Sequence, residues 1–106
     1  MGLPAVDETY CLVALTVPPA LEETIVDWLL NLENGSGFTS FPVSGHSSEL
    51  AGLTLAEQVS GRKRQVRFEI CVPESAVDTL LSRLQQDFTG TGIRYWTAPV
   101  QHQGKV

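Results

Sequence analysis

Two strand–helix–strand patterns follow one another along this chain, and the segment that joins them is too long for a hairpin. The first pattern has strands at Tyr10–Val17 and Phe38–Val43, and the second has strands at Gln65–Val72 and Ile93–Val100. A hairpin connection usually takes about two to five residues, whereas residues 47–60 intervene here. Long loops in compact domains are usually functional, so we expect the activity to lie in this segment.

A helix is expected inside each pattern. The first should begin after Pro18-Pro19, because proline suits the first helical position and glutamates follow in the first turn. Asn34-Gly35 is expected to stop it, and the second helix should begin after Pro73-Glu74. Apolar residues recur at helical spacing in both: Leu21, Ile25, Trp28, Leu29 and Leu32 in the first, and Val77, Leu80, Leu81, Leu84 and Phe88 in the second.

The resulting order, βαββαβ, predicts an α+β, ferredoxin-like fold. Two right-handed crossovers give the spatial strand order 4-1-3-2. This order makes the last strand an edge strand, where Pro99 costs no ladder hydrogen bond. Two helices cover only one face of such a sheet, so the apolar strand Tyr10–Val17 leaves the other face either for self-association or as the half-polar face of a monomer.

Length and composition limit the class of protein. With 106 residues, 42% hydrophobic and 18% charged, we expect one domain over 1–106, with tails at 1–8 and 101–106 and a long regulatory loop at 45–62. No apolar run approaches the length of a membrane span. The first eight residues lack the basic region of a signal peptide, which favours the cytoplasm. The net charge of -5 argues against nucleic-acid partners.

The sequence offers little catalytic chemistry. It has no Ser/His/Asp set, HExxH, Walker or GxGxxG pattern, so we expect no enzymatic activity. Cys11 and Cys71 stand in apolar strands without CxxC spacing and are expected to be buried thiols. His46 has two interpretations. It is a hydrogen-bonded structural residue, or it binds an anion or a transition metal with Glu49 as the nearest oxygen donor.

Basic residues and glycines near the long loop are candidates for binding a small effector. Four of the seven basic residues fall within Arg62–Arg67, which forms either a solvated strand start or a binding site for an anion or a partner. Glycine permits close backbone approach, and arginine supplies a planar fork of donors. The candidate effector-binding residues are Gly45, Gly61, Arg62, Gly90, Gly92 and Arg94.

The loop also contains a short helical motif. Thr54-Leu55-Ala56-Glu57 matches a capping box and predicts one helical turn over Leu55–Ser60. Such amphipathic turns dock into grooves of partner proteins. The candidate partner-binding residues are Leu50, Leu53, Leu55, Glu57 and Val59.

Together these residues resemble the PII-like superfamily of trimeric signalling proteins. Gly45-His46-Ser47-Ser48-Glu49-Leu50 is similar to the Gly-His-Thr-Glu-Leu run at the start of the loop in nitrogen-regulatory PII proteins. Thr89-Gly90-Thr91-Gly92 looks like a short form of their second glycine-rich loop. LTLAEQVSGRKRQVRF, followed by Ile93-Arg94-Tyr95-Trp96, resembles a PII-like subfamily often encoded beside heavy-metal efflux pumps of the resistance-nodulation-division type.

The resemblance, which covers residues 9–100, implies a cytoplasmic homotrimer. Its intersubunit clefts would bind a small effector, and its loop would report to a membrane transporter, in particular a heavy-metal efflux pump. The effector candidates are an adenine nucleotide, bicarbonate and a transition metal ion. The loop lacks the tyrosine that is modified in nitrogen-regulatory proteins, and their basic C-terminal element has counterparts only in Arg94 and Lys105. Two alternatives stay open: a nucleotide- or bicarbonate-responsive regulator of another transporter, and a trimeric metal-binding tolerance protein.

Overall fold

The computed structural model describes residues 9–32, 37–48 and 52–106. The elements of this part of the chain are β1 (Tyr10–Val17), α1 (Glu22–Leu32), β2 (Thr39–Gly45), α2 (Leu55–Ser60), β3 (Lys63–Pro73), α3 (Val77–Phe88) and β4 (Arg94–Val100). Single 3-10 turns, Pro19–Leu21 and Glu74–Ala76, lead into α1 and α3. The predicted helix stop at Asn34-Gly35 and the predicted tail at 1–8 lie outside the described residues.

The four strands form one antiparallel sheet in the order β2-β3-β1-β4. This is the predicted order 4-1-3-2 in reverse, so the ferredoxin-like fold and the edge position of β4 are confirmed. The predicted bounds of the long loop are wrong by one residue at its start. Gly45 belongs to β2 because it pairs with Lys63 at the beginning of β3, and the connection therefore runs over 46–62.

The core lies between one face of the sheet and the helices α1 and α3. The period-two alternation predicted for β3 is confirmed, because every second residue from Val66 to Val72 is buried. The core residues are Val13, Leu15, Val17, Val66, Phe68, Ile70 and Val72 from the sheet, and Ile25, Leu29, Leu80 and Leu84 from the helices. Removal of this apolar surface from water is the main term that stabilises the fold.

A polar and an aromatic contact join the two long helices at the edge of the core. The indole Nε1 of Trp28 on α1 donates a 2.8 Å hydrogen bond to Oδ2 of Asp87 on α3. The Trp28 ring meets Phe88 edge to face, with 5.4 Å between ring centroids. Such aromatic pairs contribute about 0.5–1.5 kcal/mol beyond their burial. These contacts join α1 to α3 directly.

The sheet face opposite the helices, which we call the open face, carries charged and aromatic side chains around β1. Ala14 at its centre is buried between Glu69 on β3 and Trp96 on β4. The Arg67 guanidinium carbon lies 4.4 Å from the centroid of the Trp96 ring, and Arg67 Nε lies 3.2 Å from Glu69 Oε2. Trp96 is 42% exposed and Phe41 39% exposed. The open face therefore keeps large apolar surface in water.

The expectation that both cysteines are buried is wrong, because both are less buried than predicted. Cys11 and Cys71 are free and only partly buried. Cys71 follows the alternation of Arg67 and Glu69, which places it on the open face. That face has no helix over it, so local apolar composition overestimated the burial of this thiol.

None of the helices in the described part of the chain is long and apolar enough to cross a membrane. The longest, α3, has 12 residues. The predicted tail at 101–106 lies outside the helices and strands and is exposed throughout.

Candidate functional site

A cleft of about 200 Å³ opens where the 46–62 connection leaves and rejoins the sheet. We call it the loop-base cleft. Strand pairing brings its walls together, because Gly45 lies beside Lys63 and the first residue of β4, Arg94, lies at the same end of the sheet opposite Thr16 of β1. The cleft is lined by Gly45, His46, Ser47, Leu53, Gly61, Lys63, Gln65, Gly92 and Arg94.

The loop-base cleft brings together four of the six predicted effector-binding residues, namely Gly45, Gly61, Gly92 and Arg94. Gly90 lies instead in a neighbouring groove beside Phe88, which shares Gly92 with the cleft. The side chain of Arg62 does not line the cleft, and its main-chain amide donates to the carbonyl of Glu57 and to Ser60 Oγ. We therefore place the candidate site around the first four residues.

The cleft is positively charged although the chain as a whole is acidic. Lys63 and Arg94 bring two cationic groups to its walls, and no aspartate or glutamate among the described residues lines it. The whole chain carries a net charge of -5. A local potential of opposite sign concentrates anions at such a site. The electrostatics of the cleft therefore suit a small anion.

His46 is held at the mouth of the cleft by a main-chain contact. Its Nδ1 lies 3.2 Å from the carbonyl oxygen of Gly61. Because a carbonyl oxygen only accepts, Nδ1 carries the proton, and in the neutral ring Nε2 then bears a lone pair. A contact of this kind also orients histidines that bind metals. His46 can thus present a metal-binding atom when neutral and an anion-binding N–H when protonated.

The described residues show no full metal site around His46. No group of three or more His, Cys, Asp or Glu side chains that could hold a metal ion occurs among them. Glu49, the predicted second ligand, lies outside the described residues. To bind a metal, His46 would therefore need ligands in addition to those that the described residues place near it.

The predicted helical turn in the loop is confirmed as α2, with both halves of its capping box. Thr54 Oγ1 accepts from the amide of Glu57 at 3.1 Å, and Glu57 Oε1 accepts from the amide of Thr54 at 3.0 Å. Gly61 ends the helix with φ at 70°, a left-handed conformation that favours glycine. The same glycine lines the loop-base cleft.

The predicted partner-binding residues fall into different environments. Leu55 and Val59 are 79% and 85% exposed, and they share one side of α2 because they are four residues apart. Leu53 lines the loop-base cleft, and Leu50 lies outside the described residues. The carboxylate of Glu57 is engaged within the chain, since Oε2 also accepts from the amide of Arg64 at 3.0 Å. Leu55 and Val59 are therefore the residues that α2 presents to solvent.

Glu57 gives α2 a dependence on pH with a defined sign. Hydrogen bonds from the amides of Arg64 and Thr54, with a smaller contribution from the charge of Lys63, lower its pKa below the ordinary value of 4.5. A lowered pKa means that the contacts stabilise the loop above pH 4.5 and are lost as pH falls through the lower folded value. In an NMR titration, the chemical shift of the Arg64 amide should therefore change with a midpoint below pH 4.5. A midpoint at or above that value would contradict the hydrogen bond.

Sequence reasoning missed Lys63 and Gln65 as residues of the cleft. Both continue the alternation that places Arg67 and Glu69 on the open face, but the strand was expected to begin only at Gln65. A Cβ atom on Gly45 would meet the amide oxygen of Gln65, which is the far end of a flexible side chain and can move aside. The register of β3, followed to its first residue, was the signal that could have found them.

Comparison with known structures identifies the fold. A DUF3240 family protein from Shewanella baltica OS155 has 28% sequence identity and a TM-score of 0.75, with 92% of this chain and 97% of that chain covered. CPII, a nitrogen regulatory PII-like protein from Thiomonas intermedia K12 bound to ADP, AMP and bicarbonate, has 20% identity, a TM-score of 0.67 and coverage of 92% and 97%. A putative PII-like signaling protein from Thermus thermophilus has 22% identity, a TM-score of 0.63 and 87% coverage of each chain.

The fold is thus that of PII-like proteins, as the resemblance of the sequence predicted. No protein with a curated description matches the sequence. The family model described as "Protein of unknown function (DUF3240)" matches residues 7–106. Because this match spans nearly the whole chain, the protein belongs to the DUF3240 family.

Proposed function

We propose that this protein is a non-enzymatic, PII-like regulator that binds a small anionic effector in the loop-base cleft and controls a membrane transporter. The observation that carries the proposal is the convergence of Lys63, Arg94 and His46 at the base of the long loop. Three potential donors around an anion, with glycine main chain between them, match the chemistry of bicarbonate or of a phosphate group.

The size of the cleft narrows the effector class. Sites for cofactor-sized molecules usually enclose about 300–1,000 Å³, whereas this cleft has about 200 Å³ on one chain. One chain therefore suits bicarbonate or a single phosphate group, and a whole nucleotide needs walls from a second subunit. The fold-level relative CPII was solved with ADP, AMP and bicarbonate, so these three molecules are the first effectors to test.

The proposed regulator is a cytoplasmic homotrimer. Trp96 and Phe41 leave apolar surface on the open face, which a second copy of the chain would cover. Leu55 and Val59 on α2 would contact the transporter. A heavy-metal efflux pump is the favoured transporter because of the resemblance of the LTLAEQVSGRKRQVRF block, and another transporter is the alternative.

Removal of either cation of the cleft should weaken effector binding. A hydrogen bond to a charged group contributes about 1.5–3 kcal/mol, so Lys63→Ala and Arg94→Ala should each raise Kd by about 10- to 150-fold. Isothermal calorimetry with bicarbonate, AMP and ADP measures this change. Arg83→Ala is a matched control, because Arg83 is an exposed cation on α3 that lines a different groove, beside Tyr10 and Pro73. Its Kd should equal that of the wild type.

The same titrations separate the competing functions. If none of the three anions binds the wild-type protein, the cleft is not an effector site of this class. Zinc and copper titrations test the alternative of a metal-binding tolerance protein, which the lone pair expected on His46 Nε2 favours. Stoichiometric metal binding that His46→Ala abolishes, without any anion binding, would replace the regulator by that alternative.

A further inference from the structure

The residues that flank α2 are also walls of the loop-base cleft. Leu53 lines the cleft on the N-terminal side of the helix, and Gly61 lines it on the C-terminal side. The carbonyl oxygen of Leu53 accepts from Gln58 Nε2 at 3.3 Å, and that of Gly61 accepts from His46. The position of α2 and the shape of the cleft are therefore linked through shared residues.

One side chain, that of Glu57, holds this arrangement to the sheet. Its two carboxylate oxygens accept from the amides of Thr54 and Arg64, each at 3.0 Å. Its main-chain carbonyl accepts from the amides of Gly61 at 2.8 Å and Arg62 at 3.2 Å. Arg64 directly follows Lys63, the cation of the cleft on β3. Glu57 thus connects the start of α2, its end and the start of β3.

We propose that Glu57 is the positioning residue that couples occupancy of the loop-base cleft to the docking of α2. The inference rests on the proposed function, because it concerns the regulation of the same site. An anion that contacts Lys63 and the main chain near Gly61 favours the arrangement in which Glu57 makes all of these hydrogen bonds. By linkage, the bonds of Glu57 then raise the affinity of the cleft for that anion by the same factor. An occupied cleft thereby holds Leu55 and Val59 in a fixed orientation.

The direction in which anion binding changes on removal of Glu57 distinguishes a positioning role from direct electrostatic repulsion. Glu57 has the same charge as the anion, so its removal would strengthen binding if long-range repulsion dominated. If Glu57 acts by holding the walls of the cleft, its removal weakens binding. Glu57 does not itself line the cleft, but it is close enough to Lys63 for that charge to lower its pKa. The proposal therefore predicts that loss of the hydrogen bonds of Glu57 outweighs relief of the repulsion.

The test is Glu57→Gln, with bicarbonate and AMP as probes. Glutamine keeps the size of the side chain, but its amide nitrogen would face one of the two N–H donors and cannot accept from it. The Kd of the variant should be about fivefold higher or more. In wild-type protein, the anion should also slow hydrogen exchange at the amides of Gln58, Gly61 and Arg62, and this slowing should be absent in the variant.

Glu23→Gln on α1 is the matched control, because it makes the same charge change at an exposed residue on another element. It should leave both Kd and exchange unchanged. Protection across Val66–Val72 equal to that of the wild type shows that each variant is folded. Equal or tighter binding by Glu57→Gln, or α2 exchange that the anion does not change in the wild type, would overturn the coupling while the proposed function stands. Failure of both anions to bind the wild type would overturn the proposed function itself.

Discussion

Replacement of Phe68 by alanine is expected to lower the free energy of unfolding by about 3–5 kcal/mol. Phe68 has no exposed surface and lies on β3 between Leu15 of β1 and Ser40 of β2. Its ring centroid is 6.2 Å from that of Phe38. Neighbours held in a hydrogen-bonded sheet cannot collapse into the space that alanine would leave. Domains of this size have a total stability of about 5–15 kcal/mol, so the loss is a large fraction of it.

Chemical denaturation followed by circular dichroism measures this effect. Leu30→Ala is the control, because Leu30 is more than half exposed on α1 and its truncation should change stability by less than about 1 kcal/mol. The variants should be compared at one protein concentration, since self-association makes apparent stability concentration-dependent. If Phe68→Ala cost no more than Leu30→Ala, the core would not lie where the structure places it.

The strands and the core were predictable because local patterns determine them. The apolar run at Tyr10–Val17 indicates a central strand, and the period of two in β3 specifies which of its side chains face the helices. Pro99 predicted an edge strand because proline has no N–H to donate to a neighbouring strand, and only an edge strand has a side without such a neighbour. The capping box at Thr54 predicted α2 because its two hydrogen bonds lie within four consecutive residues.

The composition of the loop-base cleft was only partly predictable, because it depends on strand register. Lys63 belongs to the cleft because β3 starts opposite Gly45, and no local pattern fixes that start. Arg62 was predicted on grounds of charge, but it does not line the cleft and is an exposed residue between Gly61 and the start of β3. The contact of Glu57 with the amide of Arg64 spans seven residues across that turn, so it appears only in three dimensions.

A substitution that blocks self-association through the open face should change the oligomeric state of the molecule. We expect light scattering at micromolar concentration to give about three times the chain mass of 11.5 kDa. Trp96→Glu should yield a monomer. The new carboxylate would lie near Glu69 and lose the stacking contact with Arg67. Arg67, which contacts the wild-type ring, is already engaged by Glu69, so within an interface the new carboxylate would be desolvated without a cation of its own, which is unfavourable.

Leu30→Glu is the matched control for this prediction, because it places the same charge on an exposed apolar residue of α1, away from the open face. It should remain trimeric, and a wild-type monomer would contradict the proposed assembly. The Trp96→Glu monomer also tests the site, because the loop-base cleft alone is small for a nucleotide. If a second subunit supplies the missing walls, the monomer should lose affinity for AMP far more than for bicarbonate. Equal affinities for AMP in monomer and trimer would instead mean that one chain contains the whole binding site.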